Sequence, residues 1–211
     1  MVMNFDEIIN KYDLKIKGVI HIGAHYGQEY NEYVKHDIEN LIFFEPLKNN
    51  FAVLLNNIKP TDKIKLHNIA LGNMKGEIEM FVESDNQGMS SSILEPQMHL
   101  IQYPGIRFNG KELVKINKLD DIKYNKDDYN FINIDVQGYE LEVFKGAVNS
   151  LKHIDYIMTE INREFLYKDG ALELELDSFL MNFRFIRTET YWAGETWGDA
   201  LYIKNDKKQF I

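Results

Sequence analysis

Residues 19–29 read VIHIGAHYGQE and residues 41–46 read LIFFEP, so a glycine turn and a short amphipathic segment separate two apolar runs. This pattern is typical of a β-α-β unit that binds a nucleoside. The glycines allow backbone N–H groups to approach the ligand. The carboxylate of Glu45, directly after the second run, accepts hydrogen bonds from both ribose hydroxyls. The stretch therefore predicts a nucleoside cofactor in an α/β fold.

The spacing of the glycines distinguishes between classes of cofactor. A dinucleotide site needs Gly-x-Gly-x-x-Gly, but the second and third positions of that pattern, counted from Gly23, hold His25 and Gln28. No Gly-Lys-Ser or Gly-Lys-Thr follows the turn, which excludes a P-loop. A Gly-Ala-x-x-Gly turn suits a cofactor without a pyrophosphate, such as S-adenosylmethionine. A strand-turn-helix corner without any ligand is the alternative interpretation.

Length and composition limit the class of protein. The chain has 211 residues, of which 45% are hydrophobic and 27% charged, so we expect a single domain over residues 1–211. We find no apolar run long enough to span a membrane, and no basic region ahead of an apolar core that would mark a secretory signal. The absence of cysteine excludes disulfides and thiolate metal sites. We expect a cytoplasmic protein.

The charge balance argues against a nucleic-acid partner. The net charge is −9, from 33 acidic and 24 basic residues, whereas nucleic-acid binding requires a cationic face. The sequence also lacks the Asp/Asn-Pro-Pro-Tyr/Phe motif of enzymes that methylate a flipped base. We therefore expect a small-molecule or glycan acceptor and no nucleic acid, and leave a homodimer open.

Alternating strand-like and helix-like segments predict a mostly parallel sheet with helices on both faces. The N-terminal helix is expected within residues 1–15. The expected sheet strands are 17–22, 41–44, 63–69, 130–134, 154–159, 184–190 and 200–204, with extra alternating strands at 77–82 and 114–119; the later helices are 28–35, 49–58, 140 to about 151, and 171–183. Seven sheet positions ending in an antiparallel hairpin are the layout of a Rossmann-like class I methyltransferase.

Two further segments are candidates for contact with an acceptor. Residues 83–112 form a segment that is too long for a loop without a function, so we expect this segment to cover the active site. Residues 191–198 lie between the last two predicted strands and include Trp192 and Trp197. Their aromatic faces suit stacking on a sugar ring, and cross-strand packing explains them equally well.

Polar residues mark the carboxyl ends of the predicted parallel strands, where ligands bind in open α/β sheets. These ends are Gly23, Glu45, Asn68, Asp135 and Glu160. A buried strand does not require a polar residue at its end. Since the ends of parallel strands lie at one edge of a sheet, these residues predict a single binding site there.

Six short motifs, in this order and spacing, resemble the FkbM family of S-adenosylmethionine-dependent methyltransferases. They extend over roughly residues 17–204 and are HIGAHYG from His21, FEP from Phe44, NIALG from Asn68, SSS from Ser90, KLDD from Lys118 and DVQGYE from Asp135. The resemblance implies an O-methyltransferase acting on hydroxyls of sugars, glycolipids or polyketides. Two positions depart from the usual motifs: His21 replaces an Asp, and Gln137 replaces a Glu.

The resemblance also implies a set of cofactor-binding residues. Glu45 would hold the ribose, the glycine turn would close on the methionine portion, and Asn68 and Ile69 would flank the adenine. A strand-end cap is the alternative role for Asn68. The expected cofactor-binding residues are His21, Gly23, Ala24, Gly27, Glu45, Asn68, Ile69 and Asp135.

Asp135 and Glu160 are the expected catalytic residues. Asp135 would act as a base, or would bind Mg²⁺ or Mn²⁺ together with Glu160. The alternative is that Glu160 pairs with Arg163 or caps the following helix. Either His25 or His67 would reach the site as a base, or each has a structural role.

The sequence thus predicts an S-adenosylmethionine-dependent O-methyltransferase for a sugar, a glycan or a similar polyhydroxylated molecule. A catalytically inactive binding module with the same fold is one alternative. A nicotinamide-dependent oxidoreductase is disfavoured by His25 and Gln28, and by the absence of a Tyr-x-x-x-Lys pair.

Overall fold

A computed structural model describes residues 2–207 of the chain. Its strands are β1 (Gly18–Ile22), β2 (Asn40–Phe44), β3 (Ile64–His67), β4 (Ala70–Leu71), β5 (Gly76–Glu83), β6 (Phe108–Asn117), β7 (Phe131–Ile134), β8 (Tyr156–Asn162), β9 (Phe185–Trp192) and β10 (Trp197–Lys204). Its helices are α1 (Phe5–Tyr12), α2 (Tyr30–Lys35), α3 (Lys48–Asn57), α4 (Met98–Gln102), α5 (Glu140–Lys145) and α6 (Glu173–Met181).

The main sheet has seven strands in the order β3-β2-β1-β7-β8-β10-β9. The first five of these are parallel neighbours, and β10 runs antiparallel to both β8 and β9. All five residues of β1 are buried, as expected for a central strand that is covered on both faces. The predicted class I methyltransferase layout, including the C-terminal hairpin, is confirmed.

Helices cover both faces of the sheet and bury two separate apolar cores. On one face α1, α2 and α3 contribute Phe5, Tyr33 and Leu54 to the core. On the other face α5 and α6 contribute Phe144 and Leu176. All five side chains are at most 7% exposed. This two-sided burial fixes the strand ends relative to one another.

The two extra strands predicted at 77–82 and 114–119 form a second sheet with β4, in the order β4-β6-β5. Strand β5 pairs antiparallel with β6, and β4 pairs parallel with β6. Leu71, Met80 and Ile116 of this small sheet belong to the same core as α5. Leu71 and Met80 also line a cavity together with Gly23 and Asp135, so the small sheet lies beside the carboxyl ends of the main sheet.

Several predicted boundaries are wrong, and the strand expected at 114–119 extends from Phe108 to Asn117. The helix after Asp135 ends at Lys145, well before residue 151. Gly146 follows it, and a Cβ there would lie 1.9 Å from the Gly72 carbonyl oxygen, so the chain packs closely against the small sheet at this point. The fifth parallel strand continues through Glu160 to Asn162, because β10 pairs along its whole length. Glu160 therefore lies inside β8 and not after it.

Among residues 2–207, the helices are all too short or too polar to cross a bilayer.

Gly23 is a position where the fold has no room for an added methyl group. Its φ is +80°, and a Cβ would lie 1.9 Å from the Asp135 carbonyl oxygen. We expect Gly23→Ala to destabilise the protein by at least about 2 kcal/mol, from left-handed strain and overpacking. Urea unfolding measures the difference.

Gly105→Ala is the matched control, because a Cβ there has no neighbour within 4 Å. We expect its free energy of unfolding to stay within about 0.5 kcal/mol of the wild type. Equal stability of both variants would contradict the tight contact at Gly23.

Candidate functional site

A first cavity lies between the ends of β1, β2 and β7 and the segment after β5. Four of the residues predicted to bind a cofactor line it: Gly23, Glu45, Ile69 and Asp135. Its other lining residues are mostly apolar and include Phe44, Leu47, Leu71, Met80, Ile93 and Val136. The cavity thus combines an apolar wall with a carboxylate at the end of β2.

The Glu45 carboxylate is held by two backbone groups. Its Oε2 accepts from the His25 N–H and its Oε1 from the Leu47 N–H, both at 2.9 Å. The side chain is only 4% exposed, and this burial raises the pKa of Glu45 to about 7 against the lowering effect of the two N–H donors. A carboxylate has about four acceptor sites, so capacity remains for two hydroxyl donors.

The glycine turn is built for close packing. The N–H groups of Gly23 and Ala24 both donate to the Phe44 carbonyl oxygen, at 3.0 and 2.9 Å. A Cβ on Gly27 would lie 2.6 Å from Ile58, so this glycine lets the turn pack against α3. Ala24 and Gly27 are absent from the cavity lining, and their backbone role differs from the expected contact with a ligand.

His21 lies in the core on the far side of the sheet from the first cavity. Its Nδ1 is 3.2 Å from the Tyr33 hydroxyl, and its ring packs against Phe43. Burial lowers the pKa of His21, so the imidazole is neutral near pH 7. The structure does not bring His21 to the site, because alternate residues of a strand face opposite sides.

Asn68 and Ile69 follow β3 and have different surroundings. The Asn68 amide donates to the carbonyl oxygens of Glu45 and Pro46, at 2.9 and 2.8 Å. It therefore braces the backbone of the turn that carries Glu45. Ile69 lines the first cavity as an apolar wall. Of the predicted adenine neighbours, the structure brings only Ile69 to the cavity.

A second cavity of about 340 Å³ adjoins the first. Asp135, Gln137 and Met89 line both of them. The remaining lining residues are Val2, Asn86, Ser90, His99, Tyr103, Ile106, Glu160, Leu166 and Trp197. The predicted catalytic pair Asp135 and Glu160 is thus brought together in one wall.

Gln137 joins the two carboxylates. Its Nε2 donates to Asp135 Oδ1 at 2.8 Å and to Glu160 Oε2 at 3.0 Å. Its Oε1 lies 2.8 Å from the Tyr167 hydroxyl. The other Glu160 oxygen accepts from the Asn162 amide at 3.1 Å. Gln137 is therefore a hydrogen-bonding residue in this structure, as expected for an amide at this position.

Asp135, Glu140 and Glu160 bring oxygen atoms within 4.8 Å of one another. Burial, together with the charges of Asp135 and Glu140, raises the pKa of Glu160 well above its ordinary range. Glu140 is also buried, and its pKa is raised to about 7. Its Oε1 caps the N–H groups of Val136 and Gly138, and its Oε2 has no hydrogen-bond partner among the described residues.

Residues between Asn86 and Ile106, within the expected cover segment 83–112, contribute to the lining of both cavities. The Glu83 carboxylate accepts from the N–H groups of Asp85 and Asn86, at 3.0 and 2.7 Å, and so shapes the loop after β5. The Ser92 hydroxyl donates to the Gln137 carbonyl oxygen at 2.7 Å. His25 reaches the same loop through its Nε2, 2.8 Å from the Gln87 carbonyl oxygen. These contacts connect the cover to both strand ends.

Sequence reasoning missed His99 and the third carboxylate, Glu140. His99 lies in the short helix α4 and lines the second cavity, but a lone histidine in a polar segment gives no local signal. Glu140 directly follows the Gly-Tyr of the DVQGYE motif, and the motif itself was the available signal. His67 stacks on Phe44 and lines neither cavity among the described residues.

Comparison with known proteins matches residues 21–189 to the family model described as "Methyltransferase FkbM domain". A curated relative, the 2-O-methyltransferase NoeI of Sinorhizobium fredii, is 30% identical, over 74% of this chain and 67% of that protein.

Solved structures share the fold at low identity. A putative tRNA (m1A22) methyltransferase from Streptococcus pneumoniae has a TM-score of 0.54 at 9% identity, over 100% of this chain and 73% of that one. The N-methyltransferase NodS from Bradyrhizobium japonicum has a TM-score of 0.52 at 9% identity, over 93% and 89%. A magnesium protoporphyrin IX methyltransferase from Synechocystis, solved with bound S-adenosylmethionine, has a TM-score of 0.52 at 6% identity, over 94% and 74%.

The raised pKa of Glu45 predicts that nucleoside binding depends on pH. If the ionised carboxylate of Glu45 accepts both ribose hydroxyls, as the sequence predicts, binding below its pKa of about 7 must release a proton. We expect the dissociation constant for S-adenosylhomocysteine to rise up to about tenfold for each pH unit below 7. Calorimetric titrations between pH 5.5 and 8 test this.

Glu45→Gln is the control variant, because it cannot ionise. We expect weaker binding with little pH dependence over this range. A wild-type affinity that does not vary with pH would contradict the assignment. The stability of the ligand-free protein depends on pH in the opposite sense. Its free energy of unfolding falls as pH rises through about 7, because the buried Glu45 carboxyl group then ionises.

Proposed function

Because this chain belongs to the FkbM methyltransferase family, we propose that it transfers the methyl group of S-adenosylmethionine to a hydroxyl of a sugar or of a similar polyhydroxylated acceptor. The observation that carries the proposal is that Asp135 and Gln137 line both cavities. A group at this junction meets donor and acceptor at once, as an in-line transfer requires. The name of NoeI, a 2-O-methyltransferase, supports oxygen as the methylated atom.

The residues of the first cavity fit the cofactor. Glu45 is placed to hold the ribose, and the apolar side chains of Ile69, Leu71 and Met80 form a wall suited to adenine. The free volume is about 60 Å³, well below the several hundred Å³ of most small-molecule sites. Gly88 and Met89 of the cover line this cavity, so we expect them to move outward when the cofactor binds.

Methyl transfer to a hydroxyl needs alignment and the removal of one proton. Bound S-adenosylmethionine supplies a methyl group on a sulfonium, and the acceptor oxygen displaces the thioether, so one C–O bond forms as one C–S bond breaks. The hydroxyl proton must leave in the same step. Asp135 is the carboxylate nearest this junction, and we assign it the role of base.

Gln137 and Glu160 have supporting roles in this assignment. The Gln137 amide donates to Asp135 Oδ1 at 2.8 Å and so orients the Asp135 carboxyl group. Burial and the charges of Asp135 and Glu140 raise the pKa of Glu160. It accepts from Gln137 and thereby fixes the orientation of that amide.

The carboxyl cluster also fits a divalent cation. Asp135, Glu140 and Glu160 offer oxygen atoms within 4.8 Å of one another, which are the ligands that Mg²⁺ and Mn²⁺ prefer. The Glu140 Oε2 is buried without a partner among the described residues, so it has capacity for a ligand. We propose Asp135 and Glu160 as the main ligands. A cation there would stabilise negative charge on the acceptor oxygen.

Asp135→Asn tests the assignment of the base. We expect the rate of methyl transfer from radiolabelled S-adenosylmethionine to a saccharide acceptor to fall at least about 100-fold, because the amide cannot take the proton. The affinity for S-adenosylhomocysteine should change by less than about tenfold, roughly 1.4 kcal/mol. Asp121→Asn, an exposed aspartate, should match the wild type. Retained activity of Asp135→Asn would remove this residue from the mechanism.

Titration with Mn²⁺ alone tests the cation site. We expect one Mn²⁺ ion per chain by electron paramagnetic resonance, and at least about tenfold weaker binding in Glu160→Gln, because one charged ligand is lost. Glu77→Gln, at an exposed position on β5, is the control. No binding to the wild type, or equal binding to Glu160→Gln, would contradict the site.

A further inference from the structure

His99 is a buried histidine whose ring forms no hydrogen bond within residues 2–207. The residue is only 3% exposed and lines the second cavity. Its Nδ1 is buried without a partner, and Nε2 has none among the described residues either. Buried polar side chains are almost always paired within the protein, so an unpaired ring in the wall of a cavity indicates a role beyond the fold itself.

The backbone of His99 is anchored to the segment that follows β8. The N–H groups of Gln97 and His99 both donate to the Leu166 carbonyl oxygen, at 2.8 and 3.1 Å. The Tyr103 N–H donates to the His99 carbonyl oxygen at 2.8 Å. Leu166 also lines the second cavity. Main-chain bonds thus place His99 at the cavity wall without any contribution from its ring nitrogens.

Aromatic side chains fix the orientation of the ring. The ring centroids of Tyr103, Phe108 and Tyr167 lie 5.1, 5.4 and 5.5 Å from that of His99. The Tyr103 hydroxyl in turn accepts from Trp197 Nε1 at 2.6 Å, which connects α4 to β10. An imidazole held in this way loses little conformational entropy when it binds a ligand.

Tyr167 connects this ring to the junction of the two cavities. Its hydroxyl lies 2.7 Å from the Ser90 carbonyl oxygen and 2.8 Å from Gln137 Oε1, so it is not available to the histidine. The Gln137 amide donates to Asp135 Oδ1 at 2.8 Å. The His99 ring is therefore part of the same packed unit as the residues that line both cavities.

The protonation state of His99 suits a neutral hydrogen bond. Burial lowers the pKa of His99 against the opposing effect of the Glu83 charge, so the ring is neutral near pH 7. A neutral imidazole has one donor nitrogen and one acceptor nitrogen. A hydroxyl group can pair with either kind, because it both donates and accepts.

We propose that His99 is an acceptor-binding residue, and that its Nε2 forms a hydrogen bond with a hydroxyl of the acceptor in the second cavity. Nε2 is assigned this role because Nδ1 is buried. The bonded hydroxyl is a different one from the hydroxyl that is methylated, since the base assigned to the latter is Asp135. The bond orients the acceptor toward the junction. This proposal rests on the proposed function, in which the first cavity holds the cofactor.

His99→Leu tests the proposal, because leucine has nearly the volume of histidine and no polar side-chain atom. We expect a Tm equal to or above that of the wild type, since an unpaired buried nitrogen is lost. The acceptors are the methyl glycosides of glucose, galactose, mannose and fucose. For the best of them we expect KM to rise at least about fivefold with kcat within about twofold, as loss of a binding contact predicts.

A lower Tm together with a loss of kcat at unchanged KM would show that His99 serves packing alone, and would overturn the proposal. An unchanged KM at unchanged Tm would overturn it as well. His153→Leu, at an exposed position outside both cavities, is the matched control and should leave KM and kcat as in the wild type.

His99→Gln is the conservative variant. Its side-chain amide lies at about the same distance from the backbone as Nε2 of histidine and can donate or accept. We expect KM for the same glycoside to stay within about twofold of the wild type. A KM as high as that of His99→Leu would contradict a hydrogen bond from this position.

Deoxy derivatives of the best glycoside identify the bonded hydroxyl. Removing that hydroxyl should raise the wild-type KM by about the same factor as His99→Leu. The two changes combined should raise KM no further than either one alone, because both remove the same hydrogen bond. Multiplicative effects for every deoxy derivative would overturn the proposal.

Titration with S-adenosylhomocysteine separates this proposal from the proposed function. His99 lies outside the lining of the first cavity, so we expect His99→Leu to bind with the wild-type affinity. A wild type that does not bind contradicts the methyltransferase function itself. A wild type that binds but methylates none of the glycosides contradicts the saccharide acceptor and, with it, the role of His99. Intact binding and methylation with an unchanged KM in His99→Leu contradict the role of His99 alone.

Discussion

The close approach of two parallel strand ends is the constraint on which the rest of this molecule depends. The backbone after β1 and the backbone after β7 come so near at Gly23 and Asp135 that a single Cβ would collide with a carbonyl oxygen. Because the two strands are neighbours in the middle of the sheet, this contact is held from both faces by separate cores. Asp135 is thereby fixed at the junction of two cavities, where a donor and an acceptor can meet.

Burial of carboxyl groups is the second organising feature, and it has an energetic cost. Glu45, Glu140 and Glu160 are each at most 4% exposed, and burial raises the pKa of all three. Desolvated charges destabilise a folded protein unless they are neutralised or hydrogen-bonded. The protein holds them with backbone N–H groups and with the amides of Gln137 and Asn162. Functional sites commonly retain such unfavourable groups, and here all three lie at the edge of one sheet.

The cover connects these features. One loop, shaped by the Glu83 carboxylate, touches the glycine turn through His25 and the Asp135 turn through Ser92. Its helix α4 is bonded to the C-terminal hairpin through Tyr103 and Trp197. Residues of this loop and of α4 line both cavities, so one structural element borders the first and the second cavity.

The sequence by itself determined the α/β layers, the seven-stranded sheet with its hairpin, and the positions of Glu45 and Asp135, because apolar periodicity and strand-end polarity are local signals. Only the tertiary structure decided which of the motif residues reach a cavity. Ala24, Gly27 and Asn68 support the turn from inside, and His21 lies in the core on the opposite face of the sheet. Glu160 lies within a strand whose length is set by its partner β10. His99 lines the second cavity and Glu140 lies beside Asp135 and Glu160, because elements far apart in the chain pack together. Contacts of this kind do not produce a periodic pattern in the sequence.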